Sequence, residues 1–280
     1  MKKILLVLCT ALLLCACTDA HATIKNVKPY FKVGTETVTN RDIYEALLEQ
    51  YGIEALSLFI NEFIYDQLVT PDYDPMKKVN EEIAELREEY GDEYYSELYG
   101  YESESEIIDL FLEEEKTNLI FTSYIKDNFE AVIENYLPTK MAVAQFQDYQ
   151  MSLMALAGVK DGESLADLAE ELGVTEIFDG EPAIYSRESD LPIEVESYGL
   201  YATGPSLVDN PIAASDEQYY IVQVISVDRN SFKDEIIEEL AYEEAINSEA
   251  ISYYCKEYNL TYYDIAMIDL VKSSNPEYYP

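Results

Sequence analysis

Cys17 is the first residue whose neighbours give it a definite chemistry. Leu14, Cys15, Ala16 and Cys17 close an apolar run, Ile4 to Leu14, that follows Lys2 and Lys3. A small side chain before a cysteine fits a signal-peptidase groove, and the thiol can carry diacylglycerol as a thioether. The run itself is too short to anchor a chain across a hydrocarbon core of about 30 Å. The expectation is a lipoprotein signal peptide over 1–17, lipidation at Cys17 with palmitate-type chains, a tether over 18–30, and a mature chain held on the extracytoplasmic face of a bacterial cell membrane, the alternative being an ordinary signal peptide cut nearby.

Other side chains offer less. Cys9 and Cys15 leave with the signal and lipid consumes Cys17, so Cys255 stands alone and no disulfide framework exists. It lies one turn beyond Ile251 on an amphipathic stretch, where burial makes a thiol inert. His21 is the only histidine and sits in the tether, so no Cys–His site, catalytic triad or zinc cluster can form. Adjacent acids such as Glu81 and Glu82, or Glu113 to Glu115, point in different directions on a helix and make poor glycosidase pairs. Asp72 and Asp74 lack the 12-residue calcium-loop pattern. No catalytic residue, metal or cofactor is expected. The 26 tyrosines and no tryptophan leave two readings open: apolar faces with hydrated rims for binding extended chains, or a core packed with Tyr.

The balance of charge restricts partners. The formal net charge is −38, and −40 once Lys2 and Lys3 are removed, so nucleic acid and anionic headgroups should be repelled. Between Glu81 and Lys116 there are 15 acids and 2 bases, yet Ile83, Leu86 and Tyr90 keep a helical stripe, which makes that acidity a solvated helix face.

The elements follow from pattern. A short extended piece over Phe31 to Val38, broken by Gly34, precedes a helix with a capping box at Thr39 and Asp42, whose stripe of Ile43, Leu47 and Leu48 ends at Gly52. A second helix carries Leu56, Phe59, Ile60, Phe63, Ile64 and Leu68 until Thr70 and Pro71. A long helix starts at Ser103, boxed with Glu106, and runs through Phe111 and Tyr124 towards Phe129 and Pro138. Residues 140–149 suit a strand or a helix equally. Leu165, Leu168, Ala169 and Leu172 form a short helix before Gly173. Several breakers punctuate residues 174–215, and Tyr219 to Val227 reads as a buried strand. Helix resumes at Ser231, boxed with Asp234, through Ile237 and Ile251. Residues 262–271 fit either state, and SSNPEYYP reads as a flexible tail.

This order resembles extracytoplasmic foldases of the PrsA and SurA kind. VGTETVTNRDIYEALLEQYGIEALSLFINEFIYDQLV is similar to their opening strand, turn and helix pair, and DGESLADLAEELGV to a parvulin helix. LPIEVESYGLYATGPSLVDNPIAASDEQYYIVQVISVD resembles the last parvulin helix, its loop and the closing strand, and SFKDEIIEELAYEEAINSEAISYYCKEYNLTYYD the returning helix. The resemblance implies an α+β fold: a mainly helical SurA- or trigger-factor-like chaperone domain over 31–137, an inserted parvulin-like α+β module over 138–230, and a helical return over 231–272 before the tail, 273–280. It implies unfolded or partly folded exported proteins as partners, with Phe59, Phe63, Phe111, Tyr124, Ile237 and Tyr254 as candidate client-binding residues, some of which must form core. Parvulins carry histidines in the opening and closing strands; here Met141 to Gln145 and Tyr219, Tyr220 and Ile221 stand there, and only an acid such as Asp148 could represent the family's central Cys or Asp. Twisting a prolyl amide requires a desolvating pocket rather than a strong acid or base. The expectation is therefore a chaperone or foldase with little or no prolyl isomerase activity, the alternative being a non-catalytic envelope assembly or surface interaction lipoprotein. Oligomeric state is not fixed by the sequence.

Overall fold

Thr39 and Asp42 form the predicted capping box, and its strength shows in the geometry. Thr39 N donates to Asp42 Oδ2 at 2.7 Å while Asp42 N donates to Thr39 Oγ1 at 3.4 Å. The Thr39 N–H, and then its hydroxyl donating to Asp42 Oδ2 at 2.8 Å, hold the Asp42 carboxyl below its usual range. They start a helix in a computed structural model of the chain that describes residue 24 and residues 26–280. Cys17, the signal and most of the tether, with His21, lie outside the described residues.

The architecture is α+β, mainly helical, with a β-sheet module inserted between helices. The chain divides into two compact units, one built from the residues up to Tyr73 together with Ser248–Pro280, the other from Asp74–Asn247. In the first, strands β1 (Pro29–Val33) and β2 (Glu36–Thr39) form an antiparallel ribbon turned at Gly34, whose φ of +60° suits glycine. Helix α1 (Asn40–Leu68) follows directly. It does not stop at Gly52, and the two expected helices are one. Gly52 is buried within it, where a Cβ would meet Leu48 Cδ1 at 2.8 Å and Leu270 Cδ2 at 3.0 Å. The glycine therefore records close packing rather than a helix end.

In the second unit α2 (Pro75–Tyr90) is capped by Asp74, whose Oδ1 accepts from Met76 N at 3.1 Å, and is followed by the single turn α3 (Tyr94–Glu97). Helix α4 (Glu104–Asp127) begins with the expected Ser103–Glu106 box, and α5 (Phe129–Tyr136) continues it after a break at Asn128. Val79, Ile83, Tyr94, Ile107 and Phe111 form a core beneath this acidic region, so the apolar stripe is buried and the acids are left outside.

The module comprises β3 (Thr139–Phe146), α6 (Tyr149–Asp161), α7 (Leu165–Leu172), β4 (Val174–Tyr185), α8 (Ile193–Gly199), β5 (Ser206–Leu207), β6 (Ile212–Ala213) and β7 (Tyr219–Ser226). Residues 140–146 resolve as strand. Its strands run in the order β4–β3–β7–β5, with β6 also on β7, and every pairing is antiparallel. β4 is an element the breaker-rich sequence concealed. It tolerates Pro182 because it lies at the sheet edge, and Gly180, at φ +83°, lets it pass a Leu165 carbonyl that a Cβ would meet at 2.8 Å. The chain leaves and re-enters the helical part at one place: Arg229 Nε donates to Pro138 O at 2.9 Å, Arg187 Nη1 to Asn135 O at 2.8 Å, and Lys140 Nζ lies 2.6 Å from Glu235 Oε2.

Helix α9 (Lys233–Leu240) carries the return. Ser231 does not cap it: the hydroxyl donates to Asp228 O at 2.7 Å, Phe232 occupies the N-cap position, and the predicted box with Asp234 is absent. Its buried face, Ile236, Ile237 and Leu240, joins Ile125, Phe129, Val132 and Ile184 in one core. The unit boundary falls within α10 (Glu244–Glu257), and α11 (Ile265–Ser274) settles the ambiguity near 262–271 as helix. The expected flexible tail is corrected as well. Ser273 and Ser274 belong to α11, and Pro276–Tyr278 make a 3-10 turn whose Tyr278 is buried, donating to Asn61 Oδ1 at 3.2 Å while its carbonyl accepts from Tyr262 Oη at 2.8 Å. An apolar ring with a satisfied hydroxyl suffices to fix a short terminal segment.

Candidate functional site

The module places the opening and closing strand positions side by side. Met141 lies opposite Val224, Val143 opposite Val222 and Gln145 opposite Tyr220, so these six side chains share one face of the sheet. Met141, Val143 and Val222 are fully buried, and a Cβ at Gly199 of α8 would run into Met141 Sδ, so the methionine end would have to shift to admit one. Tyr220 Oη donates to Asp216 Oδ2 at 2.5 Å, and burial together with that carboxylate pushes the hydroxyl well above its usual range. Tyr185, beside Phe178, is pushed to about 12 by burial, with Asp179 and Glu239 adding to it. Both phenols thus stay neutral at ordinary pH. Asp148, the one acid proposed for a central role, is engaged as the cap of α6, its Oδ1 accepting from Gln150 N at 2.7 Å and Met151 N at 3.2 Å. On this face the described residues offer apolar packing and a neutral phenol held by an aspartate.

The six candidate client-binding residues separate cleanly by burial. Phe111 packs in the core beneath the acidic helices, edge-on to Tyr99 at 5.8 Å. Ile237 is buried in the core of the return helix, and Tyr124 is half-buried against that core. Tyr254 is 2% exposed, stacked on Tyr258 at 5.9 Å. Phe59 and Phe63, by contrast, are 74% and 51% exposed on α1, one turn apart. Phe63 meets Tyr258 edge to face at 5.5 Å, which holds the ring without covering it.

Tyr51 and Leu58 are exposed on the same helix and carry no role in the sequence pattern, and Leu47 is exposed with them. Leu47 was expected in the same stripe as Leu48, but only Leu48 turns inward. The missed signal is the spacing of 4 and 7 residues between Leu47, Tyr51 and Leu58, visible only when α1 is read as one helix through Gly52. Tyr44, on the same helix, donates to Asp264 Oδ2 at 3.0 Å, which helps to fix the helix in its own unit.

The second unit also contains a cleft of about 570 Å³ among α2, α4 and the segment between α9 and α10, lined by Phe111, Phe121, Tyr242, Glu82 and Glu113 to Glu115. Burial and the carboxylates of Glu114, Glu115 and Glu85 raise the Glu82 carboxyl above its usual range. Lys78 pairs with Glu115 at 2.6 Å, so the acids here are partly neutralised by the chain itself. Cys255 is buried and its thiol is pushed to about 11, principally by burial. Among the described residues no group of three or more His, Cys, Asp or Glu is gathered as for a metal, and no helix is long and apolar enough to cross a membrane.

The class defined by this geometry is a mainly helical α+β protein with an inserted antiparallel sheet module and an exposed aromatic helix face. No protein-family model matches the chain and no curated protein matches it. Solved structures do. The foldase PrsA of Streptococcus pneumoniae is similar over 87% of this chain and 98% of its own, at 15% identity and a TM-score of 0.40. PrsA of Bacillus subtilis is similar over 88% and 99%, at 17% identity and a TM-score of 0.39. The Lactococcus lactis foldase PrsA covers 88% and 98%, at 18% identity and a TM-score of 0.39.

Proposed function

We propose that this chain is a lipid-anchored extracytoplasmic chaperone of the foldase type, which binds unfolded or partly folded exported proteins through the apolar face of α1. Its inserted module, residues 138–230, is a degenerate parvulin-like element with little or no prolyl isomerase activity. The observation that carries the reading is the exposure of Phe59 and Phe63 beside Leu58 on a long, well-capped helix. Two phenyl rings left in water one turn apart are a patch awaiting cover, shallow enough to release what it binds. Outside the membrane no ATP drives release, so a weak and broad surface serves better than a deep pocket. Met141 and Val143, in the opening-strand stretch where parvulins carry a histidine, are apolar and fully buried, which supports the reading of low isomerase activity.

The direct trial uses the mature chain from Cys17 carrying Cys17→Ser, so that no lipid is attached, in aggregation assays with several unfolded proteins. Suppression at modest molar excess is expected, and Phe59→Ser with Phe63→Ser should abolish it. If the folded chain suppresses nothing and instead binds one native envelope protein tightly, an assembly role replaces this reading. NMR exchange on a short X-Pro peptide should show no acceleration beyond a denatured control.

A further inference from the structure

The ribbon of β1 and β2 remains in water on both faces. Tyr30 is 66% exposed, Phe31 51% and Val33 64%, and Lys28 and Lys32 are exposed with them. The register sets Phe31 opposite Val38 and Val33 opposite Glu36, so Phe31 and Val33 share one face and Lys32 takes the other, while Tyr30 is the extra residue of a bulge between Pro29 and Phe31. Its base is fixed to α1: Lys28 N donates to Asn40 Oδ1 at 2.8 Å, Asn40 N to Lys28 O at 3.0 Å, and Arg41 Nη2 to Ile24 O at 3.2 Å. The ribbon is a held element, and its two aromatic rings stay more than half exposed.

Its charge runs against that of the chain. Residues 24–41 contain Lys25, Lys28, Lys32 and Arg41 against Glu36 alone, a net of +3 within a chain of −38, and no 18-residue stretch after residue 41 is net positive. The total charge predicts repulsion from anionic headgroups. Screening over about 8 Å at physiological salt, however, lets the local sign decide a contact. Exposed aromatic rings between lysines have the chemistry of the headgroup layer, where an amphipathic ring lies at the boundary and ammonium groups meet phosphates. The position agrees: from Cys17 to Pro29 the chain reaches at most about 40 Å.

The geometry points to the β1–β2 ribbon as a membrane-surface contact, in which an anionic phospholipid headgroup layer receives Tyr30 and Phe31 while Lys28 and Lys32 pair with its phosphates. The inference rests on the reading of Cys17 as the lipid anchor and not on client binding. Lipid at one residue fixes a distance from the membrane; a second contact on the ribbon fixes which side of the first unit is turned to it.

The chain contains no tryptophan, so Tyr30→Trp introduces a single reporter. In the mature chain with Cys17→Ser, its emission should shift to the blue and become shielded from acrylamide on adding phosphatidylglycerol vesicles. Phosphatidylcholine vesicles should have no effect, and salt should weaken the response. At about five-fold per basic residue near a charged surface, Lys28→Gln with Lys32→Gln should weaken vesicle binding about 30-fold, whereas Lys77→Gln with Lys160→Gln should not. Phe59→Trp, in a separate chain, should ignore vesicles and respond to an unfolded client. A Tyr30→Trp reporter unmoved by phosphatidylglycerol at low salt overturns the inference. So does one that responds to unfolded client instead, which would make the ribbon a client edge, and so does a mature N-terminus beyond Cys17. Loss of the client response at Phe59→Trp with the vesicle response intact refutes the chaperone reading and leaves the ribbon contact standing.

Discussion

Replacing Gly52 by alanine sets two effects of similar size against each other within α1. An alanine in a helix interior is favoured over glycine by about 1 kcal/mol. Against this, the new Cβ would lie 2.8 Å from Leu48 Cδ1 and 3.0 Å from Leu270 Cδ2, and overpacking of this kind costs about 1–3 kcal/mol. Both obstacles are ends of leucine side chains, so the cost falls towards the lower part of that range and the net change should be a loss of no more than about 0.5 kcal/mol. Trimming one obstacle should tip the balance: in a Leu270→Ala background the same substitution should be stabilising by up to about 1 kcal/mol, a coupling of about 0.5–1.5 kcal/mol. Amide hydrogen exchange along α1 and α11 measures this unit by itself, without assuming that both units unfold together. If Gly52→Ala raises protection by about 1 kcal/mol whichever residue stands at 270, the glycine is a plain helix defect and the packing argument is wrong.

Other consequences can be checked as readily. Phe111→Ala should cost about 3–5 kcal/mol in urea unfolding, whereas Phe59→Ser should stay within about 0.5 kcal/mol while impairing aggregation suppression; equal stability losses would refute the division into core and surface. Gly180→Ala should lose at least about 2 kcal/mol and broaden NMR signals of β4, because it combines a φ of +83° with a Cβ 2.8 Å from the Leu165 carbonyl group. The Cys255 thiol should resist iodoacetamide in the native state at pH 8 and react on unfolding. Its folded pKa lies above its unfolded one, so the unfolded state loses the proton first and stability falls as pH rises from the ordinary value of 9.0 to about 11. Cys255→Ala should remove that part of the alkaline loss.

The sequence carried most of the helical skeleton because its signals are local. The Thr39–Asp42 and Ser103–Glu106 boxes, the Leu165 stripe and the Tyr219 strand all depend on residues within a few positions. What remained hidden depends on partners far along the chain. Gly52 reads as a stop until Leu270 is set against it, and β4 reads as loop until β3 supplies the pairing that spans Gly180 and Pro182. Ser231 and Asp234 have the right spacing for a box, but the hydroxyl finds Asp228 O first. For the candidate surface, periodicity named Phe59 and Phe63 together with Phe111, Ile237 and Tyr254. Only the packing against neighbouring helices and rings separated the exposed pair from the buried three.

The first unit is assembled from two stretches with residues 74–247 between them, and for the exported chain proposed above this bears on the order of events during export. A chain threaded through a membrane pore from its N-terminus delivers α1 early and its partner α11 late. Until Leu270, Val271 and Tyr278 emerge, the inner side of α1, with Leu48, Ile60 and Ile64, has no cover from them. The second unit is continuous and can close as soon as its last helix clears the pore. On that proposal a newborn molecule passes through an interval in which its long first helix is as uncovered as a client's, and a finished copy nearby would be well placed to be its first caretaker.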